Sequence, residues 1–149
     1  MMCAMRTKKP IDQDIENMSA LTKTQREMSC KEAYERLKEY FLAHGKKEKD
    51  AFAFVKDLFR LCVSADRGVH DEEFALYRDI FDPAMTEKAF FKFTKYGGDP
   101  DFVDRMDDFV DSLEESAKKD VCHIALCILC SDGLPSRGEY NLLVRLYED

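Results

Sequence analysis

Apolar residues recur every three or four positions along most of the chain, which is the spacing of amphipathic helices. The pattern becomes regular at Ser29 and predicts helices that begin near residues 29, 48, 71, 86, 99, 117 and 136. No segment has the sustained alternation of a strand. The sequence therefore predicts an all-α fold, a bundle of about seven helices.

The first 28 residues have weaker periodicity, mixed charge and several Ser and Thr residues. We expect them to form a mobile tail that contains at most a short helix near 11–18. Ser29 and Glu32 have the spacing of a capping box, and Gly45 is suited to end the helix that follows. The predicted domain accordingly covers residues 29–149.

The predicted sixth helix is apolar nearly all round in its second half, from Val121 to Cys130. Such a helix is expected at the centre of a bundle. This longest apolar run is too short to cross a bilayer, and the N-terminal residues lack the apolar core of a signal peptide. We therefore expect a cytoplasmic protein without membrane insertion, whose six cysteines are reduced thiols.

The chain also contains an internal repeat at an offset of 66 residues. The stretch that begins at Leu58 aligns with the one that begins at Ile124, so that each copy contains an apolar helix, an Asp, a tight corner and a second helix. The corner aspartates are Asp66 and Asp132, and the glutamates in the following first turns are Glu73 and Glu139. Capping of the turn and of the helix N-terminus accounts for these carboxylates without any ligand. The repeat predicts two pseudo-equivalent helix–turn–helix halves.

Charge narrows the classes of partner. The formal net charge of −7 argues against a general nucleic-acid-binding protein. Residues 99–120 contain nine acids and three bases. This segment is open to two interpretations, namely a solvated helix face or a surface for a cation or a basic protein.

The two corners, SADRGVHDEEF from Ser64 and CSDGLPSRGEY from Cys130, resemble the tellurite-resistance TerB-like family. That family includes the N-terminal domain of a DnaJ-like membrane co-chaperone, and the likeness covers roughly residues 30–149. The resemblance implies a non-enzymatic helical module that takes part in stress or metal-resistance responses through contacts with a protein partner. It also implies a candidate site for Ca²⁺ or Mg²⁺ at Asp66, Glu73, Asp132 and Glu139, so a divalent-metal sensor is the alternative function. The family's usual Gly and Val/Ile positions are here occupied by Arg67 and Pro135.

Three cysteines in the sixth helix, Cys122, Cys127 and Cys130, have the spacing of a plant-type ferredoxin. Ferredoxin ligands lie on an open loop, whereas this segment is predicted to be a helix. His123, Cys127 and Cys130 would share one helix face and could bind Zn²⁺, but buried thiols that pack as small apolar groups explain the same spacing.

A cluster of aromatic residues lies just before the pair of glycines at 97–98. Phe90, Phe91, Phe93 and Tyr96 either form an exposed docking surface for a protein or are enclosed by the surrounding helices. The chain has no phosphate-binding glycine loop, nucleophile elbow or metalloprotease motif. We therefore expect a protein that is not an enzyme and has no required cofactor.

Overall fold

A computed structural model of the chain describes residues 10–64, 71–94, 100–131 and 137–147. These residues form eight helices and no strand, which confirms the predicted all-α bundle. The helices are α1 (Pro10–Ser19), α2 (Lys23–Ala43), α3 (Glu48–Ser64), α4 (Asp71–Ile80), α5 (Glu87–Thr94), α6 (Pro100–Asp111), α7 (Glu115–Leu129) and α8 (Arg137–Tyr147).

The N-terminal segment differs from the expected mobile tail over residues 10–28. Residues 10–19 form α1, and Ile11, Ile15 and Met18 on one face of that helix are buried in the core. These three side chains are spaced one helical turn apart, so a single face of α1 contacts the rest of the bundle. The packed domain therefore begins well before residue 29.

The second helix begins at Lys23, six residues before its predicted start at residue 29. Thr22 is the N-cap, and the Gln25 amide nitrogen donates to the Thr22 hydroxyl over 3.1 Å, while the Thr22 amide nitrogen donates to the Gln25 side chain over 2.8 Å. This is a capping box with the same spacing as the one predicted at Ser29. Cys30, which would have lain in the first turn of the predicted helix, is instead buried in the middle of α2.

The end of α2 is the one predicted at Gly45. Gly45 has a φ of +78°, and its amide nitrogen donates to the Leu42 carbonyl, while the Lys46 amide nitrogen donates to the Phe41 carbonyl over 2.9 Å. These two bonds form a Schellman motif, which requires a left-handed residue after the helix. Glycine adopts that conformation without a steric penalty.

The central position predicted for the apolar helix is confirmed. Every residue of α7 from Ile124 to Leu129 is buried, and α7 packs against α1, α2, α3, α4, α6 and α8. Its most extensive contact is with α2. The Arg36 guanidinium in α2 pairs with Asp120 in α7 at 2.9 Å, and the Glu114 amide donates to the Tyr40 hydroxyl. Tyr40 follows Arg36 in the sequence, whereas its partner Glu114 precedes Asp120, so the two helices run antiparallel.

The repeat is visible in the helix boundaries. A shift of 66 residues places each end of α3 and α4 within one residue of the corresponding end of α7 and α8. Core positions of the first pair also fall on core positions of the second. Pairs that are buried in both copies include Ala51 with Ala117, Val55 with Val121, Leu58 with Ile124, Cys62 with Ile128 and Leu76 with Leu142. The two halves are therefore equivalent in helix length and in buried face.

Candidate functional site

Of the four carboxylates predicted to bind a cation, the structure describes the side chain of one, Glu73. Asp66 and Asp132 lie outside the described residues, as does the side chain of Glu139. Glu73 lies in the first turn of α4 with an exposed fraction of 1%. The one described carboxylate of this set is therefore inside the protein and not at its surface.

The predicted aromatic cluster is divided between core and surface. Phe90 is completely buried and contacts Phe59, Phe74 and Tyr77, so its side chain is a core group that a partner cannot reach in this structure. Phe93 is half-buried against the same core, and Phe91 has an exposed fraction of 37%. Tyr96 lies outside the described residues. Enclosure of the rings therefore holds for Phe90 and in part for Phe93, and Phe91 is the exposed ring among the described members.

The cysteine-rich segment of α7 is packed as apolar helix. Cys127 and Cys130 are completely buried, and the half-buried Cys122 thiol donates to the Leu146 carbonyl over 3.5 Å. Within the described ranges, no group of three or more His, Cys, Asp or Glu side chains is arranged to hold a metal ion. The zinc alternative at His123, Cys127 and Cys130 therefore has no supporting geometry.

A large cavity lies between α1, α7 and α8 and has a volume of about 660 Å³. Cavities of this size accommodate a small molecule or several side chains of a peptide. Apolar walls come from all three helices and include Met18, Leu21, Leu126 and Leu146. Of the residues singled out in the sequence, Cys122 and His123 line this pocket, whereas Glu73, Phe90, Phe91 and Phe93 do not. Its signal in the sequence was the spacing of Ile11, Ile15 and Met18, which indicates an apolar face on α1 but does not say where that face packs.

Two hydrogen bonds tie α1 to α8 at this pocket. The Tyr147 hydroxyl donates to the Asp14 carboxylate over 2.7 Å, and the Tyr140 hydroxyl donates to Asp12 over 2.8 Å. Burial, followed by the bond to Asp14, raises the pKa of Tyr147 well above its usual range, so this hydroxyl remains a donor at all physiological pH values. Of the two bonds, the one between Tyr147 and Asp14 joins residues that line the pocket, and the one between Tyr140 and Asp12 fastens α1 to α8 beside it.

The rim of the pocket on α7 carries charges of both signs. The adjacent Lys118 and Lys119 lie one turn after Glu115 and one turn before His123, and Lys119 is exposed. His123 hydrogen-bonds through Nε2 to the Ser29 hydroxyl of α2. Interaction with Cys127 raises the pKa of His123, although burial acts in the opposite direction. The α7 side of the opening therefore presents two lysines and one carboxylate, and α1 contributes Asp14.

Behind the pocket, two thiols from opposite ends of the sequence meet. A hydrogen bond from Cys30 is the largest effect on Cys127, and with the nearby His123 it lowers the pKa of Cys127 to about 6 despite burial. The same bond, together with burial, raises the pKa of Cys30. The neighbouring thiol and the histidine therefore favour ionisation of Cys127 over that of Cys30.

The described helices and the comparisons with known proteins bear on the class to which this protein belongs. In the part of the chain that the structure describes, no helix combines the length and the apolar character needed to cross a bilayer. The TerB-like resemblance stays a prediction that depends on the two corner motifs. Comparisons with known proteins gave no match to a family model, to a curated protein or to a solved structure.

Proposed function

We propose that this chain is a non-enzymatic, TerB-like helical binding module, which holds a segment of a partner protein in the pocket between α1, α7 and α8. The observation that carries the proposal is the pocket itself, with its volume of about 660 Å³, its apolar walls and an exposed lysine at its opening. The TerB-like resemblance supports a setting in stress response or protein assembly.

The chemistry of the lining favours binding over catalysis. The reactive groups in the lining are the Cys122 thiol, which donates to the Leu146 carbonyl, and His123, which is bonded to Ser29. Cys127 is completely buried behind Met18 and is not part of this lining, so a molecule that fills the pocket does not contact its sulfur in this structure. On the α8 side, the Tyr147 hydroxyl and the Asp14 carboxylate are bonded to each other.

The same lining defines the partner segment. Leu21, Leu126 and Leu146 offer an apolar surface to one or two inserted apolar side chains. Lys119 at the opening is placed to pair with a carboxylate of the partner, since it is exposed and lies one turn before His123. We therefore expect a segment in which an acidic residue lies close to apolar ones.

Selection from a random peptide display library on the immobilised protein tests this proposal. We expect enriched peptides to combine acidic and apolar residues and to be displaced by the free protein. Binding of a selected peptide, measured by calorimetry, should weaken at least about tenfold in Lys119→Glu, since a paired charge becomes a like charge.

Lys88→Glu is the matched control, because Lys88 is an exposed lysine on α5, away from the pocket. It makes the same change in net charge and should leave peptide affinity unchanged. Equal losses in the two variants would assign the effect to net charge. A library that yields no enrichment would contradict a peptide-binding pocket.

A further inference from the structure

The buried Cys30 and Cys127 lie on facing helices, although 96 residues separate them in the sequence. Both are completely buried at the antiparallel contact of α2 with α7. The Cys127 sulfur lies 3.9 Å from the Arg26 carbonyl oxygen of α2, which places Cys127 within one turn of Cys30 along that helix. Folding therefore brings two thiols together at one point of the core.

The surroundings of Cys127 make it the reactive member of the pair. His123 lies one turn before it on the same helix and is positioned by its bond to Ser29. The pKa of Cys127 is lowered by Cys30 and His123 and that of Cys30 is raised, so Cys127 is the thiol of the pair that ionises more readily. A thiolate is the nucleophilic form of cysteine and is the form that peroxides oxidise.

Two openings lead toward Cys127. The Met18 sulfur lies 3.8 Å from the Cys127 sulfur, and the same methionine lines the large pocket, so Met18 separates the thiol from that cavity. On the other side, Cys127 itself lines a much smaller pocket together with residues of α2 and α4. Methionine has three rotatable bonds, so a change of its rotamer can admit a molecule as small as hydrogen peroxide.

We propose that Cys127 is a peroxide-sensitive thiol and that its oxidation joins it to Cys30 in an intramolecular disulfide. The proposal does not depend on what the pocket binds. In the first step the Cys127 thiolate attacks hydrogen peroxide, so an S–O bond forms, the O–O bond breaks and hydroxide leaves. In the second step Cys30 loses its proton to that hydroxide and attacks the Cys127 sulfur.

The second step forms the S–S bond and expels the sulfenic oxygen, which leaves as water after taking up a proton from the His123 imidazolium or from solvent. Overall the two thiols lose two electrons and two protons, and one peroxide becomes two waters. The disulfide would crosslink α2 to α7 across the core. We expect the oxidised protein to resist unfolding more strongly than the reduced protein, because the disulfide closes a loop of nearly one hundred residues.

The test uses the full chain with all six cysteines. The protein is treated with a small excess of hydrogen peroxide, unfolded, and alkylated before its mass is measured. We expect the loss of two alkylation sites and of two hydrogens. After trypsin, peptide 27–31, which contains Cys30, should be linked to peptide 120–137, and fragmentation should assign the link to Cys127 and not to Cys122 or Cys130.

Two variants separate the role of His123 from simple packing. His123→Gln should slow the loss of thiols at pH 7 roughly tenfold, since the thiolate fraction falls as the Cys127 pKa returns toward its usual range. His44→Gln, a change at an exposed histidine beside Glu114, should leave the rate unchanged. Six alkylatable thiols after peroxide treatment, or a link that omits Cys127, would overturn the proposal.

Discussion

Removal of the Tyr77 hydroxyl is expected to raise the free energy of unfolding, whereas most substitutions lower it. Tyr77 in α4 is almost completely buried, and its ring packs against Phe59 at 5.0 Å, edge to face, and against Phe93 at 5.2 Å. Its hydroxyl forms no hydrogen bond with any residue that the structure describes. Tyr77→Phe keeps the ring and removes the unpaired group.

The expected change is a gain in stability. A buried polar group without a partner costs about 1–3 kcal/mol, so we expect the free energy of unfolding to rise by about 1 kcal/mol at pH 7. Urea unfolding followed by circular dichroism measures the difference, and equal slopes with denaturant show that the two proteins expose the same surface on unfolding.

Tyr147→Phe is the matched control. Its hydroxyl donates to Asp14 over 2.7 Å, so the same removal of one oxygen should lower the free energy of unfolding by about 1 kcal/mol. Opposite signs in the two variants are the expected result. A loss of stability in Tyr77→Phe would refute the reasoning, because it would mean that the Tyr77 hydroxyl has a favourable partner.

The pH dependence of the same variant provides a second check. Burial, with a smaller effect of Asp82, raises the pKa of Tyr77 to about 12. Above pH 10 the unfolded chain ionises this residue and the folded protein does not, so stability is lost as the pH rises. At pH 11 the wild type should lose roughly 1 kcal/mol through Tyr77, and the advantage of Tyr77→Phe should grow by that amount. An advantage that stays constant from pH 9 to pH 11 would contradict the raised pKa.

Three further predictions concern the ends of the helices and the corners. Gly45→Ala should lower the free energy of unfolding by about 1 kcal/mol, because its φ of +78° strains any residue with a Cβ; Gly45→Asn should lose less. Ile15→Ala should cost about 2–4 kcal/mol if α1 is part of the core, whereas Gln13→Ala on the exposed face of α1 should change stability by less than about 0.5 kcal/mol; equal effects would mean that α1 is not packed. Calorimetric titration with Ca²⁺, Mg²⁺ and Zn²⁺ tests the alternative of a metal sensor at the corners that contain Asp66 and Asp132, where the absence of both heat and a shift in Tm would contradict it.

Helix positions could be predicted from the sequence where apolar periodicity and end signals agree. The end of α2 at Gly45 and the burial of α7 follow from local residues, because a glycine C-cap and an all-round apolar helix each have one favourable solution. The start of α2 could not be chosen in this way. Thr22 with Gln25 and Ser29 with Glu32 have the same capping spacing, and the packing of residues between them against α7 decides which is used.

The candidate site was less accessible to prediction, since it depends on contacts between distant segments. The sequence places His123 and Cys127 on one helix face, but it does not indicate that Cys30 meets them from α2. The pocket requires the apolar face of α1 to lie on α7 and α8, and short polar helices of this kind have no local signal for their partner. The meeting of Cys30 with Cys127 and the position of the pocket therefore depend on tertiary contacts, which the local sequence pattern does not specify.

The antiparallel contact of α2 with α7 has a consequence for how the protein is made. The apolar face of α2 is complete once residue 43 has been added, but its main partner is complete only at residue 129. At about 5–20 residues per second, synthesis of the residues between the end of α2 and the end of α7 takes roughly 4–17 s. Throughout that interval Cys30, which is buried beside Cys127 in the finished fold, has no α7 to cover it. The nascent chain should therefore be a client of ribosome-associated chaperones until α7 has emerged.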